Sequence, residues 1–172
     1  MARQKGTQKT KDGLVDIAPK LIAKGDFAQV ARIGAAHGAA YLREEILNGK
    51  SNDDASFLPE VYVYKDGKLA GVVAIAGNHK PGEVADAIGA VVMEAFKSSS
   101  EAVVTVTAGW LSRKASAKRR PRHQADRITA SFSIVYTAPD KIVAYQALPI
   151  GTAEDVKRAG HGVVVDVPRK AA

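Results

Sequence analysis

The chain contains no cysteine. Disulfides, thiolate metal sites and thiol nucleophiles are therefore excluded together, and a reducing compartment is the expected setting. Aromatic residues make up only 6% of the sequence, which leaves little material for base-stacking platforms or carbohydrate sites. No apolar run approaches the roughly 20 residues of a membrane span. The longest runs are strand-length and interrupted by Gly, Thr and Lys. Met1 to Lys11 is basic and polar with no apolar stretch behind it, unlike a secretion signal. A cytoplasmic protein that makes no use of a membrane is expected.

Catalytic and nucleotide signatures are missing as well. There is no GxxxxGK[ST] loop, GxGxxG turn, GxSxG elbow or HExxH pair, so phosphate cradling, serine hydrolysis and zincin chemistry have no anchor. The four histidines, His37, His79, His123 and His161, are scattered, and without cysteine a metal would need them to converge with distant carboxylates. No cofactor or metal is expected. His123 with Asp126 offers the sharpest acid-base pair, yet no nucleophile motif accompanies it, and Asp126 and Arg127 read better as charges that pair with their neighbours and close the insert. The balance of signals points to a protein that is not an enzyme.

What is present is a foldable chain with an uneven charge. Its 172 residues are 46% hydrophobic and 25% charged, enough for one domain with a sizeable core. The formal net charge is +7, but residues 25–112 carry −4 while the fifteen residues Arg113 to Arg127 carry +6. Residues 1–12, rich in Lys, Gln, Thr and Gly, read as a flexible basic arm, and residues 13–172 as a single domain with a basic loop at 113–127.

Periodicity supplies the elements. Leu14, Ile17, Ala18, Leu21 and Ile22 recur at helical spacing, with Pro19 either in a first turn or breaking the segment. Asp26 is an N-cap signal for a longer helix that Gly49 ends. Gly34 and Gly38, four residues apart on that helix, let another backbone approach closely. Glu60 to Tyr64 and Leu69 to Ala76 flank Lys65-Asp-Gly-Lys68, a hairpin signal. Val84, Ile88, Val91, Val92, Ala95 and Phe96 form the stripe of a further helix behind Glu83. Alternating patterns over 102–111, 128–137 and 142–148 predict three successive strands, whose polar faces leave one side of the sheet partly open. Thr152 and Asp155 resemble a capping box for a short helix closed by Gly160, and Gly162 to Val167 could add a strand. The fold class expected is α+β: an antiparallel sheet of five or six strands with two or three helices packed on one face.

The segment from about Glu101 to Ile150, less than a third of the chain, carries Ala108-Gly-Trp110, Arg120-Pro121, His123, Asp126-Arg127 and Leu148-Pro-Ile150. In these spaced residues it resembles uncharacterised small proteins of actinobacteria and their bacteriophages. Where those proteins carry an acidic residue soon after the Asp-Arg pair, this chain has Ile128-Thr-Ala130. The resemblance implies a bacterial or phage accessory protein, and a Pro121 to Arg127 spacing that serves strand entry rather than a ligand.

Charge clustering then sets the functional expectation. Closely spaced Lys and Arg neutralise phosphates and release counterions, and arginine adds bidentate hydrogen bonds. Arg113, Lys114, Lys118, Arg119, Arg120, Arg122 and Arg127 are the candidate nucleic-acid-binding residues, with Lys5 and Lys9 lent by the arm, the partner being nucleic acid or another polyanion. The alternative is a phage structural or assembly protein whose basic segments dock on acidic faces of neighbouring subunits, with homo-oligomers or larger assemblies and a place in the virion.

Overall fold

A computed structural model of the chain describes residues 12–77, 80–112, 118, 127–151 and 153–159. The helices begin where short polar side chains satisfy free backbone donors. The Asp12 carboxylate accepts from the amides of Leu14 and Val15 at 2.9 and 3.2 Å, opening a π-helical turn, Gly13–Ile17. That turn runs into α1, Ala18–Ala23, with Pro19 in its first turn, where no amide donor is missed. Asp26 caps α2, Phe27–Leu47, through the Gln29 amide. Strands β1, Glu60–Lys65, and β2, Lys68–Ala74, meet at Asp66 and Gly67, both at positive φ (54° and 72°), as the Asp-Gly signal predicts. The Glu83 carboxylate accepts from the Lys80 amide at the start of α3, Pro81–Lys97. Strands β3 (Ala102–Leu111), β4 (Ile128–Ala138) and β5 (Lys141–Pro149) follow, then α4 (Ala153–Ala159). The expected strand over Gly162 to Val167 and the cap residue Thr152 lie outside the described residues.

The five strands form one antiparallel sheet in the order β2-β1-β3-β4-β5, so the α+β class and the strand count agree with expectation. Helix placement differs from it. Val104, Val106, Tyr62 and Tyr64 pack with Leu14, Ala18, Val30 and Ala31 beneath the π-helical turn, α1 and α2. Their strand neighbours Val61 and Val103 pack instead with Val92, Ile88 and Phe96 of α3. Adjacent strand residues point to opposite faces, so α3 lies on the other side of the sheet. Because β1 and β3 are apolar on both faces over Val61–Val63 and Val103–Val106, one layer of helices cannot cover them.

β4 inverts its expected pattern. Ser131 and Ser133 are buried under α2 and Thr129 beside the Asn52 turn, while Ile128, Phe132 and Ile134, exposed or half-buried, turn to the side that holds α3. The cause is the approach of the helix. Gly34 and Gly38 bring the α2 backbone so near β4 that a built Cβ at either would overlap a serine Oγ, leaving room for nothing larger than serine beneath them. A second core region, Leu42, Ile46, Ile150 and Val156, ties the end of α2 to α4.

Candidate functional site

The basic segment leaves and re-enters the domain at one point. Leu111 of β3 pairs with Ile128 of β4, so residues 112–127 connect two hydrogen-bonded partners at the end of a ladder. The Asn52–Asp54 turn after α2 braces that end. Thr129 Oγ1 donates to the Asn52 carbonyl at 2.7 Å, and the Ile150 amide donates to the Thr129 carbonyl at 3.1 Å. Arg127 forms a two-point contact with Asp53, Nε to Oδ1 at 3.1 Å and an η nitrogen to Oδ2 at 3.0 Å, with its guanidinium 5.5 Å from the Trp110 ring centroid. This bidentate fork fixes a plane as well as a distance. Of the predicted contact residues, Lys118 is exposed and Arg127 sits in this clamp. Arg113, Lys114, Arg119, Arg120, Arg122, Lys5 and Lys9 lie outside the described residues, as do His79, His123, Asp126 and His161.

A second constellation, unforeseen in the sequence, lies between α2 and β1. Helical spacing puts His37 and Tyr41 on one face of α2, and strand alternation puts Glu60, Tyr62 and Tyr64 on the sheet face beneath it. The Tyr62 hydroxyl donates to the Glu60 carboxylate and lies 2.9 Å from His37 Nε2, which is itself 3.5 Å from Glu60. The His37 ring meets Tyr41 and Tyr62 edge-on, at centroid distances of 4.8 and 5.7 Å. Burial first, then the hydrogen bond and charge of Glu60, push the Tyr62 phenol far above its ordinary range; burial, then the charge and hydrogen bond of Glu60, raise Tyr41. Tyr64, raised mainly by burial, donates to the Leu14 carbonyl at 2.7 Å.

The arrangement holds a neutral phenol, a carboxylate and an imidazole in mutual hydrogen-bond reach, with His37 and Glu60 side chains 24% and 16% exposed. Among the described residues no group of three or more His, Asp or Glu could hold a metal ion, and no helix is long and apolar enough to cross a membrane. The i,i+4 pair His37/Tyr41 and the alternation Glu60/Tyr62/Tyr64 were visible in the sequence. What joined them was the seating of α2 over β1, a tertiary fact.

No protein-family model, curated protein or solved structure matches the chain.

Proposed function

We propose that the protein binds nucleic acid through the basic segment 113–127. The observation that supports this is the paired register at Leu111 and Ile128, which brings the two ends of a segment carrying net +6 together at one end of the sheet. Arg127, committed to Asp53 and Trp110, acts as the root of the loop. Arg113, Lys114, Lys118, Arg119, Arg120 and Arg122 then supply the phosphate contacts, a sequence-independent electrostatic grip. The negative balance of residues 25–112 keeps the remaining surface from adding to it.

Geometry also constrains how the arm could help. The chain at Leu14 is held by Tyr64, whose strand partner is Ala102, nine positions along β3 from Leu111. At about 3.3 Å per residue the two roots are roughly 30 Å apart along the strand. A duplex that met both the arm and the loop would have to extend over about nine base pairs at 3.4 Å each.

Fluorescence anisotropy with a labelled 20-base-pair duplex, titrated across salt concentrations, tests the proposal. Six phosphate contacts give a slope of log affinity against log salt near −5, and Arg119→Ser/Arg120→Ser/Arg122→Ser should flatten it by about 3. Binding that ignores salt, or a triple variant with an unchanged slope, overturns it.

A further inference from the structure

The π-helical turn and α2 enclose an open groove of about 350 Å³, lined by Asp12, Gly13, Leu14, Ile33, Ala36 and His37. That volume falls in the range of small-molecule sites, and so does its make-up of an apolar floor with few polar groups. Leu14, Ile33 and Ala36 supply the apolar part; Asp12 and His37 supply the polar part.

The hydrogen bonds around His37 assign its two nitrogens. Tyr62 spends its single proton on Glu60, so its oxygen is left to accept from His37, and Nε2 must be the protonated nitrogen. Nδ1 is then an acceptor, and it has no hydrogen-bond partner among the described residues. A hydrogen bond held at one imidazole nitrogen fixes the tautomer and the orientation of the ring. Asp12 is similarly half used. Its Oδ1 accepts the Leu14 and Val15 amides, whereas Oδ2 has no partner among the described residues.

Charge narrows the ligand class. Asp12 and Glu60 both act on Tyr41 and Tyr62, so two carboxylates share this corner of the domain. No described lysine or arginine forms an ion pair with either of them; the partners of Glu60 are His37 and the Tyr62 hydroxyl. Two acceptors beside an apolar floor, one of them a carboxylate, complement a donor cation with a hydrocarbon body.

We propose that the groove binds a small alkylammonium ligand, its N–H groups donating to Asp12 Oδ2 and His37 Nδ1 and its alkyl chain lying on Leu14, Ile33 and Ala36. Glu60 and Tyr62 position His37 without touching the ligand. The site is independent of nucleic-acid binding, and the two can fail separately.

The test is an NMR titration of the full chain at pH 7.5 and constant ionic strength with three probes of similar size: butylammonium, 1-butanol and butyrate. Saturable shifts in the His37 ring protons and the Leu14 and Ile33 methyls are expected with butylammonium alone. Asp12→Asn keeps the cap, because asparagine caps as well as aspartate, but should weaken butylammonium about tenfold through loss of a charged hydrogen bond. Ala36→Leu places added bulk on an exposed position of the groove and should abolish the shifts with the fold intact. Equal binding of butanol, preferential binding of butyrate, absence of saturable shifts, or indifference to both substitutions overturns the proposal.

Discussion

Gly38→Ala is the sharpest test of how α2 is seated. The added Cβ would overlap Ser131 Oγ and come within 2.8 Å of both the Phe57 ring and a Val106 methyl. A serine hydroxyl can rotate away. Val106, fully buried in the centre of the sheet, cannot yield without moving β3 or lifting α2. Lifting the helix opens a gap along its buried line of Val30, Ala31, Ala35, Ala39, Leu42 and Ile46, and even a 0.5–1 Å gap forfeits about a quarter to a half of each contact's attraction. Overpacking of this kind costs about 1–3 kcal/mol, and three simultaneous overlaps put Gly38 at the upper end. Against this stands the helix preference of alanine over glycine, about 1 kcal/mol. The net expectation is a loss of about 2 kcal/mol, or a fall in Tm of roughly 4–8 °C for a domain of this size, followed by circular dichroism and urea unfolding. Gly89→Ala is the control. Gly89 lies within α3 with nothing inside 4 Å of its built Cβ, so only the propensity term acts and Tm should rise. Ser131→Ala removes a buried hydroxyl that has no hydrogen-bond partner among the described residues and also the closest overlap, so it should partly rescue Gly38→Ala. A Gly38→Ala protein as stable as the parent, or a double variant showing no coupling, would refute the reasoning.

Two further outcomes follow from the site geometry. Tyr62 and Tyr64 have phenols raised above the ordinary value of about 10, chiefly by burial, so the unfolded chain ionises first as pH climbs. Stability is therefore complete below about pH 10 and falls above it by up to about 1.4 kcal/mol per pH unit for each tyrosine; urea midpoints that stay level to pH 11, or that decline equally in Tyr64→Phe, count against it. The Arg127–Asp53 clamp is a partly exposed pair, so Asp53→Ala should cost less than about 1 kcal/mol. The emission of Trp110, the sole tryptophan, should nevertheless shift as the guanidinium leaves its ring; unchanged emission would argue against the stacked geometry.

Local chemistry made much of the fold legible. Asp26, the Asp66-Gly67 turn and Glu83 each act where their side chains or backbone preferences direct them. The two-sided apolar character of Val103 to Val106 also signals a strand covered on both faces, although the alternation with Thr105 and Thr107 conceals it. The inward turn of Ser131 and Ser133 was not readable from β4, because it depends on two glycines about a hundred residues earlier in the chain. For the same reason His37 looked inert: its partners Glu60 and Tyr62 belong to another element, and only the register of β1 against β3 brings them beneath α2. Clusters formed by such distant pairings leave no spacing signature.

The register at Leu111 and Ile128 also bears on the order in which the domain assembles. β1 and β2 are joined by the two residues Asp66 and Gly67, and β4 and β5 by Pro139 and Asp140, whereas sixteen residues separate Leu111 from Ile128. Closing a loop in the unfolded chain costs about 0.6 kcal/mol more for each doubling of its length, so three doublings add about 2 kcal/mol to β3–β4. The two outer hairpins can close on the microsecond scale, and β3 must then join both. The central strand, with a sixteen-residue closure to β4 on one side and a longer one spanning β2 and α3 to β1 on the other, would be the last to be stitched in, making the basic segment one determinant of folding speed.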